Sequence, residues 1–309
     1  MKTKYIKQIE KQDLLNINFD LIISSSGYEV RSTYLSSLLN NSNNNNKIVF
    51  SFSDLRGQNE RNKNDNIFHK LRFNSIKCDG NNSEILIKNI DDYIISSNKD
   101  LSILIDYSSM TRVWYGSIIN YFKNLVIQNR QIIIYFAYSL AEYNKPNLKD
   151  SKTSHFEPID GFCNLSVPSI PTALITGLGY EKNKAFGLKE FFDAELLYLF
   201  YTIDNEFTFS VLDKNKELID RTSREYILPY NINDVLLTKT ILLDLCSNLK
   251  KNFRIIIAPC GPKPFTIISF LVAAELGSID VWRISGETVE NNFKAIPNGK
   301  IITFEICYY

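Results

Sequence analysis

Two strand-to-helix turns recur in this chain at one spacing, and self-similarity of that kind restricts the architecture more than any single motif does. Leu21-Ile22-Ile23 leads into Gly27-Tyr28-Glu29, and Ala173-Leu174-Ile175 leads into Gly179-Tyr180-Glu181, so the two glycines stand 152 positions apart, 27 to 179. Further on, Ile103-Leu104-Ile105 leads into Ser108-Ser109-Met110-Thr111-Arg112. Ile255-Ile256-Ile257 leads into Cys260-Gly261-Pro262-Lys263 with the same shift, 108 to 260. Such a repeat predicts a duplicated unit, the alternative being a single α/β domain with an extension, and duplicated units pack about a pseudo-twofold axis as homodimers do about an exact one.

Between these turns, apolar runs of strand length alternate with longer helical patterns, the alternation that parallel βαβ construction requires. Strands are expected at 20–24, 48–52, 75–78, 102–106 and 131–136. Helices are expected near 30–39, 67–71, 83–96 and 113–122, with a polar Asn-rich break at 40–46. A loop-rich stretch with Pro146, Pro158 and Pro168 follows. The second half repeats the order, with strands at 173–176, 196–201, 207–212, 253–258 and 280–284 and helices at 182–192, 235–249 and 265–276. The last run, 301–308, reads as a strand suited to an antiparallel edge. The expected fold is α/β, two tandem Rossmann-like units with largely parallel sheets related by a pseudo-twofold axis. The boundaries fall at 1–140 for the first unit, 141–170 for a linker or insertion, and 171–309 for the second.

Composition narrows the function. With 309 residues and 44% hydrophobic content, the chain supports two cores. Thirty-five Lys and Arg against 34 Asp and Glu leave no global basic field, so duplex nucleic acid is not an expected partner. Five scattered cysteines without a C-x-x-C pair argue against a disulfide framework and a zinc knuckle, and they fit a reducing cytoplasm. The charged start, Met1 to Asp13, reads as neither a secretory signal nor a membrane anchor, and no apolar run reaches the ~20 residues of a spanning helix.

In open α/β sheets, ligands settle at the carboxyl ends of the strands, where helix N-termini present free N–H groups. The repeated turns lie there. Ser24-Ser25-Ser26-Gly27 offers hydroxyl and amide donors, and reads equally as a tight turn with a serine cap. Neither G-x-G-x-x-G nor G-x-x-x-x-G-K-[ST] is present, so a dinucleotide fingerprint and a P-loop are both missing. Glu29 either complements the helix dipole or accepts a ribose hydroxyl. Arg31 in the first half, with Lys182 and Lys184 in the second, puts a cation near this turn twice, which a phosphate or a salt bridge would equally explain. Asp106-Tyr107-Ser108-Ser109-Met110-Thr111-Arg112 is the sharpest signal: hydroxyls and amides to cradle a phosphate, Arg112 to bind it bidentately, Asp106 to position a sugar hydroxyl or a water. Its counterpart supplies Lys263 as a point charge. Capping chemistry is the alternative for Ser108, Ser109 and Thr111.

A hydrophobic strand ending in a small Ser/Thr-rich turn with Thr-Arg or a lysine, in a doubled Rossmann-like unit, resembles the CARF-type sensor domains of CRISPR and related antiviral systems. The resemblance covers the four turns and implies a cyclic-oligonucleotide ligand held between paired units and a role in bacterial defence. The turn here is Ser108-Ser109-Met110-Thr111-Arg112 where the commonest pattern is glycine-rich, and no effector domain follows.

The predicted ligand set is therefore Ser25, Gly27, Arg31, Asp106, Ser108, Ser109, Thr111, Arg112, Gly179, Cys260, Gly261 and Lys263, facing one cleft between the halves. No cofactor and no metal site are expected, since only His69 and His155 are available and neither lies near a paired Cys or carboxylate. Candidates for catalysis are Asp106, Glu29 and Cys260, the last as a thiol of lowered pKa near a helix N-terminus or as a small turn filler. Asp54-Leu55-Arg56-Gly57 with Glu60 and Arg61 reads as a solvated loop or a gate. Tyr107, Trp114 and Tyr115 read as core or as base-stacking aromatics. Three functions remain: nucleotide recognition, an enzyme acting on a nucleotide or phosphosugar, and a protein-interaction subunit of a defence complex.

Overall fold

The computed structural model describes residues 3–39, 46–53, 59–126, 129–143, 153–203, 205–286 and 295–309. Of the sequence readings, the Asn-rich break apart from Asn46, the segment Asp54 to Gly57, and Pro146 lie outside the described residues. The chain divides into two compact units, Met1–Asn144 with Asn292–Tyr309, and Lys145–Asn291.

In the first unit the chain runs β1 (Thr3–Gln8), α1 (Lys11–Leu15), β2 (Leu21–Ser26), a 3-10 turn (Val30–Thr33), α2 (Tyr34–Leu38), β3 (Lys47–Phe52), α3 (Asn59–Lys70) and β4 (Asn74–Cys78). It continues through α4 (Glu84–Ile95), β5 (Leu101–Asp106), α5 (Arg112–Asn124) and β6 (Ile132–Ala141). The second unit holds β7 (Thr153–Pro158), β8 (Thr172–Gly177), α6 (Lys184–Phe191), β9 (Ala194–Thr202), α7 (Asn205–Lys214), α8 (Lys216–Asp220) and β10 (Ile227–Tyr230). It is completed by α9 (Val235–Leu249), β11 (Arg254–Ile257), α10 (Lys263–Leu276) and β12 (Ile279–Gly286). The chain ends in β13 (Pro297–Tyr308).

The first sheet is ordered β1-β13-β6-β5-β2-β3-β4 and the second β10-β9-β8-β11-β12-β7. Numbered within each repeat, the parallel strands of both sheets run 3-2-1-4-5, the doubly wound order of nucleotide-binding α/β folds. Strands β2, β5, β8 and β11 are almost entirely buried because helices cover both faces of a parallel sheet, which is why each carries a short run of consecutive apolar residues rather than an alternation. Leu14, Ile22, Leu35, Val49, Phe68, Leu104 and Tyr135 share one core in the first unit. Leu174, Leu188, Leu199, Val211 and Ile256 share another in the second.

Three readings are corrected. Phe207 to Leu212 is helical, inside α7, because β9 and β10 are parallel neighbours and only a crossover can join them. Thr153 to Pro158, inside the expected linker, is a strand that pairs antiparallel with β12, Phe156 opposite Ile284. The terminal strand is antiparallel as expected, yet it is neither an edge nor part of the second unit: β13 lies between β1 and β6 of the first sheet. Each repeat's closing antiparallel strand thus comes from the other repeat's position in the chain. β7 follows β6 but pairs with β12, and β13 follows β12 but pairs with β6. No local propensity encodes that choice.

Candidate functional site

Strand order reverses between β2 and β5 in the first unit and between β8 and β11 in the second, so the turns leaving these strands flank the switch point of each sheet. All four repeated turns are among them. In the first unit the turn after β2 is fastened from α3. Asn64, buried, donates its amide to the carbonyls of Gly27 and Glu29, both at 2.9 Å. Ser26 donates to Asp65 at 2.6 Å, and Asp65 in turn pairs with Arg61, whose Nη1 reaches the Phe52 carbonyl at 2.8 Å. Arg61 is therefore a buried strut rather than part of an open gate.

Arg31 is buried as well. Its Nε and Nη2 grip both oxygens of Glu29 at 3.1 Å, and its Nη1 donates to the Tyr138 hydroxyl at 2.7 Å and the Ser139 carbonyl at 3.2 Å. Burial works against the guanidinium charge, but Glu29 and Tyr138 more than offset it and hold the pKa of Arg31 above its ordinary value. The salt bridge expected of a cation beside this turn is present in the first unit. The second unit repeats it, with Lys184 on Glu181 at 2.6 Å.

The turn after β5 folds onto itself. Ser108 donates its backbone N–H and its hydroxyl to Oδ1 of buried Asp106, and accepts the Ser139 N–H at 2.8 Å. Ser109 donates to Glu29 at 2.9 Å, tying the two turns together. Thr111 caps α5 by accepting the Trp114 N–H and donates its hydroxyl to the Gly80 carbonyl at 2.8 Å. Arg112, half-buried, is the first residue of α5. Among the described residues, the buried hydroxyls of Ser25, Tyr107 and Ser139 have no hydrogen-bond partner. Burial, then the neighbouring Tyr138, Tyr115 and Asp106, push the Tyr107 phenol well above its ordinary pKa. Trp114 stacks on Phe52 at 4.6 Å and Tyr107 on Tyr138 at 5.3 Å. With Tyr115 they are fully enclosed, which makes all three core aromatics.

In the second unit the corresponding turns meet backbone to backbone. A Cβ on Gly179 would stand 2.4 Å from the Cys260 carbonyl oxygen, and one on Gly261 would stand 2.6 Å from that of Leu178. These glycines are required for the turns to touch one another. Cys260 is half-buried, with its thiol toward the Ala258 carbonyl at 3.6 Å and the Thr176 hydroxyl at 3.9 Å. Lys263 opens α10 as Arg112 opens α5. All five cysteines are free thiols. Among the described residues, no group of three or more His, Cys, Asp or Glu is placed to hold a metal.

Sequence reasoning missed Asn64 and its partner in the second unit, Asn215, which is buried and donates to the Gly179 carbonyl at 3.0 Å. The signal was present: Lys63-Asn64 and Lys214-Asn215 repeat at nearly the same shift as the turns they hold.

No protein-family model matches this chain, and no curated protein matches it. Among solved structures it is similar to the cytoplasmic domain of a prokaryotic cation chloride cotransporter, with 9% identity over 86% of this chain and 95% of that one at a TM-score of 0.26. An overlap that loose supports nothing about the site. Among the described residues, no helix is long and apolar enough to cross a membrane.

Proposed function

We propose that this chain recognises a small phosphorylated ligand, a nucleotide or cyclic oligonucleotide, at the carboxyl-end turns of its sheets, in a cytoplasmic setting and in the sensory role that its CARF-like turns imply in bacterial defence. One observation carries the reading. In both units the strand beside the switch point hands over to a helix that begins with a cation, Arg112 on α5 and Lys263 on α10, and neither helix has an acidic residue in its first turn. An anion at a helix N-terminus meets the positive end of the dipole, and a cation at the same place adds to that attraction. The free thiols accord with a reducing compartment.

The test is thermal unfolding of wild type and Arg112→Ala/Lys263→Ala against mononucleotides, dinucleotides and cyclic oligonucleotides, since a ligand bound only by the native state raises its apparent stability. A shift for one class that vanishes in the double variant supports the reading; no shift with any phosphorylated ligand sinks it. A second reading, an enzyme acting on a nucleotide or phosphosugar, draws on the buried Asp106 beside Ser108. Turnover of a bound nucleotide that is lost in Asp106→Asn, with binding kept, would select it.

A further inference from the structure

We infer that Glu29 occupies, in cis, an oxyanion site built from Arg31 and Ser109, and that a phosphate group enters by displacing it; this rests on the reading of the first unit's strand-end face as a phosphorylated-ligand site. Arg31 is anchored independently of Glu29. Its Nη1 is fixed by the Tyr138 hydroxyl and the Ser139 carbonyl, and the Tyr138 ring lies 4.9 Å from the guanidinium carbon. That anchor leaves the Nε and Nη2 fork presented to an exchangeable partner, and Glu29 fills it with both oxygens at 3.1 Å. Ser109 adds a hydroxyl donor to Oε2 at 2.9 Å. A guanidinium fork and a hydroxyl converging on two oxygens suit a phosphate as well as a carboxylate.

The arrangement also says which part moves. The Arg31 side chain is 8% exposed and that of Glu29 17%, so the glutamate forms the rim. Asn64 holds the Glu29 carbonyl, so the carboxylate leaves by side-chain rotation into water with the turn intact. An anion must replace it, because a buried guanidinium stripped of its partner is strongly unfavourable. The second unit lacks the full set: Glu181 faces a lysine, its side chain is 37% exposed, and Gly261 stands where Ser109 would supply a hydroxyl. The oxyanion site is therefore assigned to the first unit alone.

Inorganic pyrophosphate, titrated calorimetrically into the full chain, is the probe. Glu29→Gln should bind it at least about tenfold tighter than wild type, a difference of ~1.4 kcal/mol. Adding Arg31→Lys should abolish the gain, since a lysine cannot reproduce the fork. Glu29→Asp, which keeps the charge but retracts it, should fall between. Equal affinity in wild type and Glu29→Gln, or a gain that survives Arg31→Lys, overturns the inference. Should Glu29→Gln fail to fold because buried Arg31 is left without an anion, Glu29→Asp alone must still bind pyrophosphate tighter than wild type, and equal affinity there overturns the inference. If wild type responds to nucleotides while Glu29→Gln gains nothing, only the displacement falls. If neither protein binds any phosphate, the functional reading falls with it.

Discussion

Replacing Asn64 with alanine tests whether the turn after β2 is held in place from α3 or holds itself. Asn64 is 2% exposed, and its amide is the donor to two carbonyls, those of Gly27 and Glu29. A neutral hydrogen bond is worth ~1 kcal/mol net, and a buried carbonyl left unsatisfied costs about 1–3 kcal/mol, so the loss should be roughly 3 kcal/mol. At about 2–4 °C per kcal/mol for a unit of this size, the first unit should melt roughly 6–12 °C lower. The two tryptophans make the assay specific, since Trp114 belongs to the first unit and Trp282 to the second. Urea unfolding followed by Trp114 fluorescence in a Trp282→Phe background reads the first unit alone. Asn64→Asp should be at least as damaging, because a carboxylate would then face two carbonyl oxygens. Asn215→Ala should cost about half as much, as its amide reaches one turn carbonyl and otherwise bonds to the Val211 carbonyl of the adjoining α7. A loss below ~1 kcal/mol for Asn64→Ala would refute the argument that these buried amides fix the turns.

Two further outcomes follow from the packing. Gly179→Ala and Gly261→Ala should each destabilise the second unit by ~2 kcal/mol or more, because the new methyl collides with backbone that cannot yield. Gly187→Ala, on α6 with nothing within 4 Å of the added Cβ, should stabilise it by ~0.5–1 kcal/mol, and equal effects at the three sites in urea unfolding would contradict the close contact of the turns. Burial pushes the Cys246 thiol from 9.0 up to about 12. Its neutral form therefore contributes stability that is present below pH ~9 and is lost as pH rises toward 12. Cys246→Ala should lower stability at neutral pH yet flatten the decline between pH 9 and 12, and an alkaline decline identical to wild type would rule out this thiol as its source.

Periodicity and turn chemistry were enough to identify the parallel strands β2, β3, β5, β6, β8, β9, β11 and β12, along with α9 and α10, because each element is stabilised by apolar faces spaced along a short stretch of chain. The same local pattern misled at Phe207 to Leu212. There, alternating aromatic and β-branched residues suit a strand, but the parallel pairing of β9 and β10 demands a helix.

The candidate site divides in the same way. Ser108 and Thr111 were recognisable from composition as cradle or cap, and the structure places Thr111 at the cap and Ser108 on Asp106. The partnership of Arg31 with Tyr138 and that of Ser109 with Glu29 join residues 107 and 80 positions apart, and no local pattern announces them. Local sequence thus determined the repeated unit, its strands and the residues at its turns, since these depend on interactions over a few residues. Only the tertiary structure decided that β7 and β13 close each other's repeats, and that the charges at the first turn satisfy one another. Backbone pairing and buried charge are settled by whichever distant partner the packed chain brings within reach.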